Sequence, residues 1–273
     1  MRIVDLGEQY HEDYFKCLEE YSEDMQDAGV EKMRWYEEMK DRGLGVKLAL
    51  DDHGQAGGMI QYVPIEHSYA EGEDLYTILC IWVHPHKQGR GNYRKRGMGA
   101  ALLAAAEEDA RSRGAKGMVA WGLILPSWMR ASWFKRHGYV PVDRNGIALM
   151  LWKPFSSDAT PPRWIRERKK PLPLAGRVTV TAMVSGWCPA QNIICERARR
   201  ACGEFGEEVV FEQIDTRVQA TRLEWGILDS VFVDGRKLGW GPPVPYAKVR
   251  KTIARRVGKM RRSLASDPPS MAG

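Results

Sequence analysis

Residues 94–99, Arg-Lys-Arg-Gly-Met-Gly, have the composition and spacing of a site for phosphate groups. Gly97 and Gly99 lack a Cβ, so the backbone can approach a ligand closely and present its N–H groups. The alanine-rich pattern over 100–113 predicts a helix directly after them, and a helix N-terminus attracts anions. The three basic side chains can add charge-assisted hydrogen bonds. The segment therefore predicts a site for a diphosphate-bearing ligand.

The elements around this loop strengthen the prediction. The apolar run Leu75–Val83 predicts a strand that leads into the loop, so a strand, a loop and a helix N-terminus follow one another. The spacing Arg94-x-x-Gly97-x-Gly99 before the helix resembles the coenzyme A pyrophosphate signature of the GNAT superfamily of N-acetyltransferases. The resemblance covers roughly residues 1–155. It implies an acyltransferase that uses acetyl-CoA as co-substrate and no metal.

The resemblance also implies which residues hold the coenzyme. The pantetheine arm would lie along the end of the 75–83 strand, where an N–H near Ile81 would polarise the thioester carbonyl. The implied coenzyme-binding residues are Ile81, Trp82, Val83, Arg94, Lys95, Arg96, Gly97, Met98, Gly99, Ala100 and Phe134. Tryptophans 82, 121, 128 and 133 are expected around the acceptor cleft.

The chain departs from the family pattern in three places. Phe134 stands where many relatives carry a tyrosine acid, and Thr77 stands where some carry a glutamate. Residues 87–93 lengthen the loop before the glycines; they either cover the nucleotide or form a mobile insert.

Proton transfer therefore needs other groups, or a site that works by proximity with water as the relay. Glu66, His67, Asp74 and Tyr76 are the candidate catalytic residues; Glu73, His84 and Tyr93 are further substitutes. Cys80 lies in the predicted strand and is expected to be a buried apolar residue rather than a nucleophile.

The element pattern predicts an α/β (α+β) chain with two domains. The first half has the order βααβββαβαβ, which is the order of the acetyltransferase fold. Its helices are predicted over 10–39, with a break at 28–29, over 100–113 and over 126–137. The predicted divisions are a GNAT domain over 1–155, a proline-rich basic linker over 156–175, a second domain over 176–262 and a disordered tail over 263–273.

The second half has the order βαβαββα, with Trp187-Cys188-Pro189 before its first helix. This arrangement resembles thioredoxin, and the pair of domains resembles the YoaP-type acetyltransferases. Gln191 replaces the second cysteine of a CxxC motif, and Asp229 or Ser230 replaces the expected cis-proline, which argues against dithiol exchange. Cys188 remains a candidate thiol for a one-cysteine role.

The composition of the chain indicates which classes of partner to expect. The net charge of +6 is concentrated after residue 152, yet no aromatic-interleaved RNA motif accompanies it, so nucleic acid is not expected as a partner. No apolar run approaches the ~20 residues that cross a bilayer, so no membrane partner is expected. Five cysteines without a CxxC pair favour a reducing cytoplasm. A small-molecule or peptide amine is the expected acceptor, and a homodimer is one option for the assembly.

Three functions stay open from the sequence. The first is an N-acetyltransferase in which an amine attacks the thioester directly and the C-terminal domain recognises the acceptor or a partner. The second is a thiol-redox or thiol-transfer protein that uses Cys188. The third is a sensor that binds acyl-CoA without turnover, which the missing tyrosine favours.

Overall fold

The structure is a computed structural model, and it describes residues 1–19, 23–125, 129–239 and 243–266. The chain divides into two compact units, Met1–Ile165 and Arg166–Gly273. We call them unit 1 and unit 2. Within the described residues, no helix is both long and apolar enough to span a membrane.

Unit 1 is built on a seven-stranded sheet with the order β1-β2-β3-β5-β6-β8-β7. Its strands are β1 (Arg2–Asp5), β2 (Gly45–Leu50), β3 (Ala56–Pro64), β5 (Leu75–Val83), β6 (Gly117–Leu123), β7 (Val140–Asn145) and β8 (Ala148–Pro154). Its helices are α1 (His11–Phe15), α2 (Glu23–Met39), α3 (Met98–Ser112) and α4 (Ala131–Arg136). A separate two-stranded ribbon pairs β4 (Ala70–Glu71) with β9 (Arg163–Trp164). The predicted mixed α/β class is confirmed.

Strands β5 and β6 form the one parallel pair of the large sheet, and they separate early. They pair only at Leu75–Gly117, Tyr76–Met118 and Thr77–Val119, although β5 continues to Val83. On its other side β5 stays paired with β3 as far as Gly58–Val83. The sheet therefore opens between β5 and β6 at the end that leads into the glycine loop.

Helix α3 covers the middle of the sheet with small and branched apolar side chains. Leu102, Leu103, Ala106 and Ala110 are buried in one core cluster. Alanines at this face let the helix approach the strands closely, which fixes the axis of α3 and the position of its first turn.

Several predicted boundaries in unit 1 are wrong. Helix α2 runs through Gly29, and the interruption lies between α1 and α2 instead. A Cβ at Gly29 would lie 3.6 Å from the Phe15 carbonyl oxygen, an ordinary contact distance, so this glycine neither breaks the helix nor is required by packing. Helix α3 begins at Met98, two residues before the predicted start.

The predicted helix over 126–137 is only Ala131–Arg136 in the described residues, since 126–128, including Trp128, lie outside them. Strand β7 was not predicted from the sequence. The predicted linker 156–175 is not a continuous connection, because β9 pairs with β4 and Ile165 N–H donates to the Tyr69 carbonyl at 3.1 Å.

Unit 2 has a four-stranded sheet with the order β11-β10-β12-β13. Its elements are β10 (Val178–Val184), α5 (Pro189–Gly203), β11 (Val209–Asp215), α6 (Gln219–Trp225), β12 (Ser230–Val233), β13 (Arg236–Lys237) and α7 (Tyr246–Ser266). Strands β10 and β11 are parallel, while β12 and β13 run antiparallel to their neighbours. The predicted order βαβαββα is confirmed, but α7 continues to Ser266, so the predicted tail from 263 starts too early; 267–273 lie outside the described residues.

Candidate active site

The N-terminus of α3 has three backbone amides without an acceptor in the helix. Gly97 is the N-cap residue with φ +80°, and the first helical hydrogen bond runs from Ala101 N–H to the Gly97 carbonyl at 3.1 Å. The amides of Met98, Gly99 and Ala100 therefore precede the first helical bond and have no acceptor within the helix. Together with the helix dipole they form a positive end that can bind an anion.

Glycine keeps this helix end open. A Cβ at Gly97 would meet no atom within 4 Å. A Cβ at Gly99 would lie 3.4 Å from Trp133 Cζ2 and 3.9 Å from Val83 Cγ2, so Gly99 lines a crevice between α4 and the end of β5. The Met98 side chain points into the core and only its backbone belongs to the site.

Three cations flank the helix end. Arg94, Lys95 and Arg96 are exposed, and none of them forms an ion pair with an acid in the described part of the chain. Arg96 lies over the Tyr93 ring, with Cζ 5.0 Å from its centroid. Because no acid neutralises them, these side chains can bind the oxygen atoms of a phosphate.

The lengthened loop before the glycines is held in place by buried polar contacts. Arg90 donates to both Asp13 carboxylate oxygens, at 2.6 and 3.3 Å, and to the Ala56 carbonyl at 2.7 Å. His84 Nδ1 lies 2.7 Å from the Gly91 carbonyl oxygen. A guanidinium on one carboxylate and one carbonyl fixes the loop backbone at its middle. The alternative of a mobile insert is wrong.

Tyr93 is a second anchor of the loop. Its hydroxyl is 2.8 Å from both Asp51 Oδ2 and Gln55 Oε1, and its ring occupies the space that a Cβ at Gly57 would need. Burial and the Asp51 carboxylate raise the pKa of Tyr93, and the hydrogen bond from Tyr93 lowers the pKa of Asp51. Tyr93 and the buried His84 thus serve the loop, and neither has the free position that a proton donor needs.

The end of β5 supplies a second open edge. Ile81 and Trp82 are partly buried and pair with Ile60 and Met59 of β3. Their other backbone edge faces the gap toward β6, where the described residues provide no strand partner. Trp121 crosses the gap further back, where its Nε1–H donates to the Leu79 carbonyl at 3.3 Å. The gap therefore starts beyond residue 79 and leads to Val83 and the loop.

Phe134 is not at the surface of this crevice. It is fully buried and packs against Tyr139 at 5.5 Å between ring centroids. The neighbouring Trp133 faces the glycines instead and stacks on His137 at 4.2 Å. Trp133 was not among the predicted coenzyme-binding residues. The signal that could have identified it is that it directly precedes Phe134 on the same short helix.

The four candidate catalytic residues lie at the opposite end of the sheet. Asp74 pairs with Lys116 at 3.1 Å, and Arg113 lies over the Tyr76 ring at 5.8 Å, which places both beside the C-terminus of α3. That end is about 22 Å from the helix N-terminus. Glu66 and His67 belong to a 3-10 turn after β3, where Pro64 pairs with Tyr76. The structure does not bring these residues to the glycine loop.

Two other predicted features can be placed. Cys80 is buried, as expected for a strand cysteine. Thr77, which aligns with the glutamate of some relatives, is fully buried, and the described residues give its hydroxyl no hydrogen-bond partner. No cluster of three or more potential metal ligands occurs among the residues that the structure describes.

Unit 2 carries its own helix start at Cys188, the N-cap of α5, with Pro189 in the first turn. The loop before it is held by Asp229, whose carboxylate accepts from Ser185 N–H at 2.9 Å and from Ser185 Oγ at 2.8 Å. Burial raises the pKa of Asp229 to about 6, against the opposing effect of the Ser185 hydrogen bonds. Cys195 and Cys202 are buried on the same helix.

Residues 46–141 match the family model described as an acetyltransferase (GNAT) domain. Unit 1 contains a GNAT acetyltransferase domain. The match spans β2 to the start of β7, including the glycine loop and the opening between β5 and β6, and it confirms the predicted enzyme class, an acyltransferase. A search of curated proteins found no match.

Solved structures similar to this chain come from the same group of proteins. An acetyltransferase of the GNAT family from Staphylococcus aureus Mu50 is 13% identical, with a TM-score of 0.42, over 57% of this chain and 99% of that one. PaiA N-acetyltransferase from Thermoplasma acidophilum, in complex with coenzyme A, is 16% identical, with a TM-score of 0.41, over 57% and 100%. A GNAT family acetyltransferase from Brucella melitensis, in complex with acetyl-CoA, is 19% identical, with a TM-score of 0.39, over 59% and 90%. At these scores the likenesses do not identify an acceptor.

Proposed function

We propose that the chain transfers an acyl group from acetyl-CoA to an amine acceptor by direct attack of the amine on the thioester. The observation that carries the proposal is the N-terminus of α3, where the amides of residues 98–100 have no helical acceptor. Three exposed cations lie next to it in the chain and form no ion pair with the residues that the structure describes. A diphosphate needs such a set of donors, and no side chain fills the space at Gly97.

Backbone groups and cations would each bind a different part of the coenzyme. The amides of Met98, Gly99 and Ala100 would bind the diphosphate, with Arg94, Lys95 and Arg96 adding charge. Pantetheine would enter the gap between β5 and β6 and pair with the free edge of Ile81, Trp82 and Val83. The complexes of two similar proteins with coenzyme A and acetyl-CoA support this assignment.

The chemistry would rest on backbone polarisation and proximity. An N–H near Ile81 would polarise the thioester carbonyl, an interaction worth about 3 kcal/mol in comparable oxyanion holes. Phe134 has no hydroxyl to protonate the leaving thiolate, and the predicted acid–base residues lie at the far end of the sheet. Water would then carry the protons, while the site contributes the alignment of amine and thioester.

Unit 2 would recognise the acceptor or a partner. Its order βαβαββα and the Trp187-Cys188-Pro189 segment before α5 support a thioredoxin-like domain, and the two units together support a YoaP-like arrangement. The acceptor would be a small-molecule or peptide amine. We also propose a cytoplasmic location and a homodimer.

Calorimetry with acetyl-CoA tests the coenzyme site. Gly97→Arg places a large side chain where the diphosphate would lie, and we expect at least ~100-fold weaker binding, about 2.7 kcal/mol. Gly114→Arg is the matched control, because Gly114 has φ +82° against +80° and equally free space, but follows the C-terminal end of α3. Equal affinity of the two variants would refute the proposed site.

Thiol release from acetyl-CoA with a panel of amines separates the enzyme from the second candidate, an acyl-CoA sensor. The burial of Phe134 at the usual tyrosine position is the observation that favours the sensor. Binding without thiol release for any amine would support it. Full activity of Cys188→Ser would remove the third option, a thiol-redox protein.

A further inference from the structure

A cleft of ≈ 610 Å³ lies in unit 2 between α7 and the β12–β13 hairpin. We call it the basic groove. Its cations are Arg236 and Lys237 from the hairpin and Lys248, Arg255, Arg256, Lys259 and Arg262 from α7. Val233 and Leu238 give it an apolar floor, and among the described residues the nearest carboxylate is that of Asp234, which pairs with Arg256. The basic groove is therefore concave, cationic on two opposing elements and partly apolar inside.

Two acids of unit 2 pair with cations on the face of α7 that points away from the basic groove. Arg250 pairs with Glu204 at 2.5 Å, and Arg261 pairs with Glu208 at 2.5 Å; neither arginine lines the groove. Helix α7 has eight basic residues and no acidic one. Two cations on the face of α7 away from the groove are thus compensated by acids.

Inside the basic groove one ion pair is structural. Arg256 pairs with Asp234 at 2.6 Å, and Asp234 also accepts from Thr179 N–H at 2.9 Å, so this contact fastens α7 to the hairpin. Arg255 and Lys259 form no ion pair with any residue that the structure describes. Burial lowers the pKa of Lys237, against the opposing effect of the Glu167 and Asp229 carboxylates.

The spacing along α7 places these cations in one row. Lys248, Arg255, Lys259 and Arg262 are separated by seven, four and three residues, which keeps them on one helix face over about 21 Å. Arg236 and Lys237 face this row from the hairpin. Arginine forks match phosphate oxygens in pairs, and a row of them can bind successive phosphates.

We propose that the basic groove binds a small ligand that carries several phosphate groups, such as a nucleoside triphosphate or an inorganic polyphosphate. The volume is that of a small-molecule site, and the apolar floor can accept an uncharged part of the ligand. The described lining residues include no aromatic ring, whereas single-stranded nucleic acid is usually held by stacking its bases on such rings. A concave groove between two elements also differs from the flat face that an anionic membrane contacts. The site is independent of acetyl-CoA binding by unit 1.

Calorimetry on the full chain with inorganic tripolyphosphate and with ATP tests this proposal. We compare Arg255→Gln/Lys259→Gln, which removes two groove cations, with Arg250→Gln/Arg261→Gln, which removes two cations from the opposite face of the same helix. The groove variant should bind at least ~30-fold more weakly, because charge-assisted hydrogen bonds are worth about 1.5–3 kcal/mol each. The control should stay within about threefold of the parent, because distant exposed charges are screened at 0.15 M salt. ATP that binds more tightly than tripolyphosphate would identify a nucleotide; equal binding would identify the phosphate chain alone.

Three outcomes would overturn the proposal. The first is equal loss in both double variants, which would mean general attraction by a basic helix. The second is no binding of either probe at millimolar concentration. The third is binding of a single-stranded oligonucleotide or of anionic phosphatidylserine vesicles in the absence of any tripolyphosphate binding. A circular dichroism spectrum and a thermal unfolding midpoint equal to those of the parent show that unit 2 is folded in the groove variant.

Discussion

The two units each begin a helix after a central strand and a loop, yet the two helix starts have opposite surroundings. The start of α3 in unit 1 has glycines and exposed cations, and the start of α5 in unit 2 has Cys188, Pro189 and the nearby carboxylate of Asp229. Neither N-cap residue makes a side-chain cap hydrogen bond. The helix dipole is common to both, so the flanking side chains decide what each end can bind.

This contrast explains why the start of α3 suits an anion better than the start of α5 does. At α3 the cations add to the positive amides, whereas at α5 a carboxylate held by Ser185 lies beside the preceding loop. Proline in the first turn of α5 also removes one of the free donors. Unit 2 instead carries much of its positive charge along α7.

The largest expected effect concerns Asp229. Its pKa of about 6 in the folded chain is above its ordinary value of 3.8, so the folded state keeps a proton that the unfolded state loses. Stability from this group is complete below about pH 4 and is lost as the pH rises to about 6, by roughly 3 kcal/mol. The Asp229→Asn variant should lack this pH-dependent loss of stability. Denaturant unfolding at pH 4 and pH 7 measures it, and an equal stability difference between variant and parent at both values would contradict it.

The next effect concerns the thiols of unit 2. Cys188 is half-buried at the helix start, while burial raises the pKa of Cys202 to about 12. The thiolate is the reactive form, so we expect iodoacetamide to modify Cys188 at least ~100-fold faster than Cys202 in the folded chain. Mass spectrometry of timed samples measures both rates, and Cys188→Ser identifies the fast site. Comparable rates before unfolding would show that the two positions do not differ in this way.

A smaller effect tests the role of the cations at the start of α3 in unit 1. Arg94→Gln/Arg96→Gln removes two exposed cations without touching the glycines, and acetyl-CoA binding should weaken about 30-fold, or about 2 kcal/mol. Arg42→Gln is a control that removes an exposed charge at the other end of α3, because the adjacent Gly43 carbonyl accepts from Arg113 at 3.1 Å. The difference should shrink at high salt, because exposed charges are screened. An unchanged affinity would mean that the amides act without these side chains.

Local sequence patterns were sufficient for much of the fold. The strand Leu75–Val83 was predicted with its observed limits, and the second-half order was predicted correctly because strand and helix periodicity depend on near neighbours. The glycine loop could be recognised because glycine at Gly97 meets a backbone requirement, φ +80°, that few other residues meet. Gly29 shows the limit of such reasoning, because residue type alone does not distinguish a glycine inside a continuous helix from a glycine that ends one.

The sequence by itself determined the two-part composition, the strand–loop–helix unit with its glycines and cations, and the absence of a hydroxyl at Phe134. Only the tertiary structure decided which residues meet. It placed Asp74 and Tyr76 beside the far end of α3, a helix about 22 Å long, and Glu66 and His67 in the turn after β3. It also fastened the lengthened loop through Arg90 and Tyr93 and set Trp133 against Gly99. The physical reason is that residues at the two ends of one strand or helix are near each other in sequence but are separated in space by the full length of the element. In addition, the burial of a polar side chain depends on partners far away in the chain.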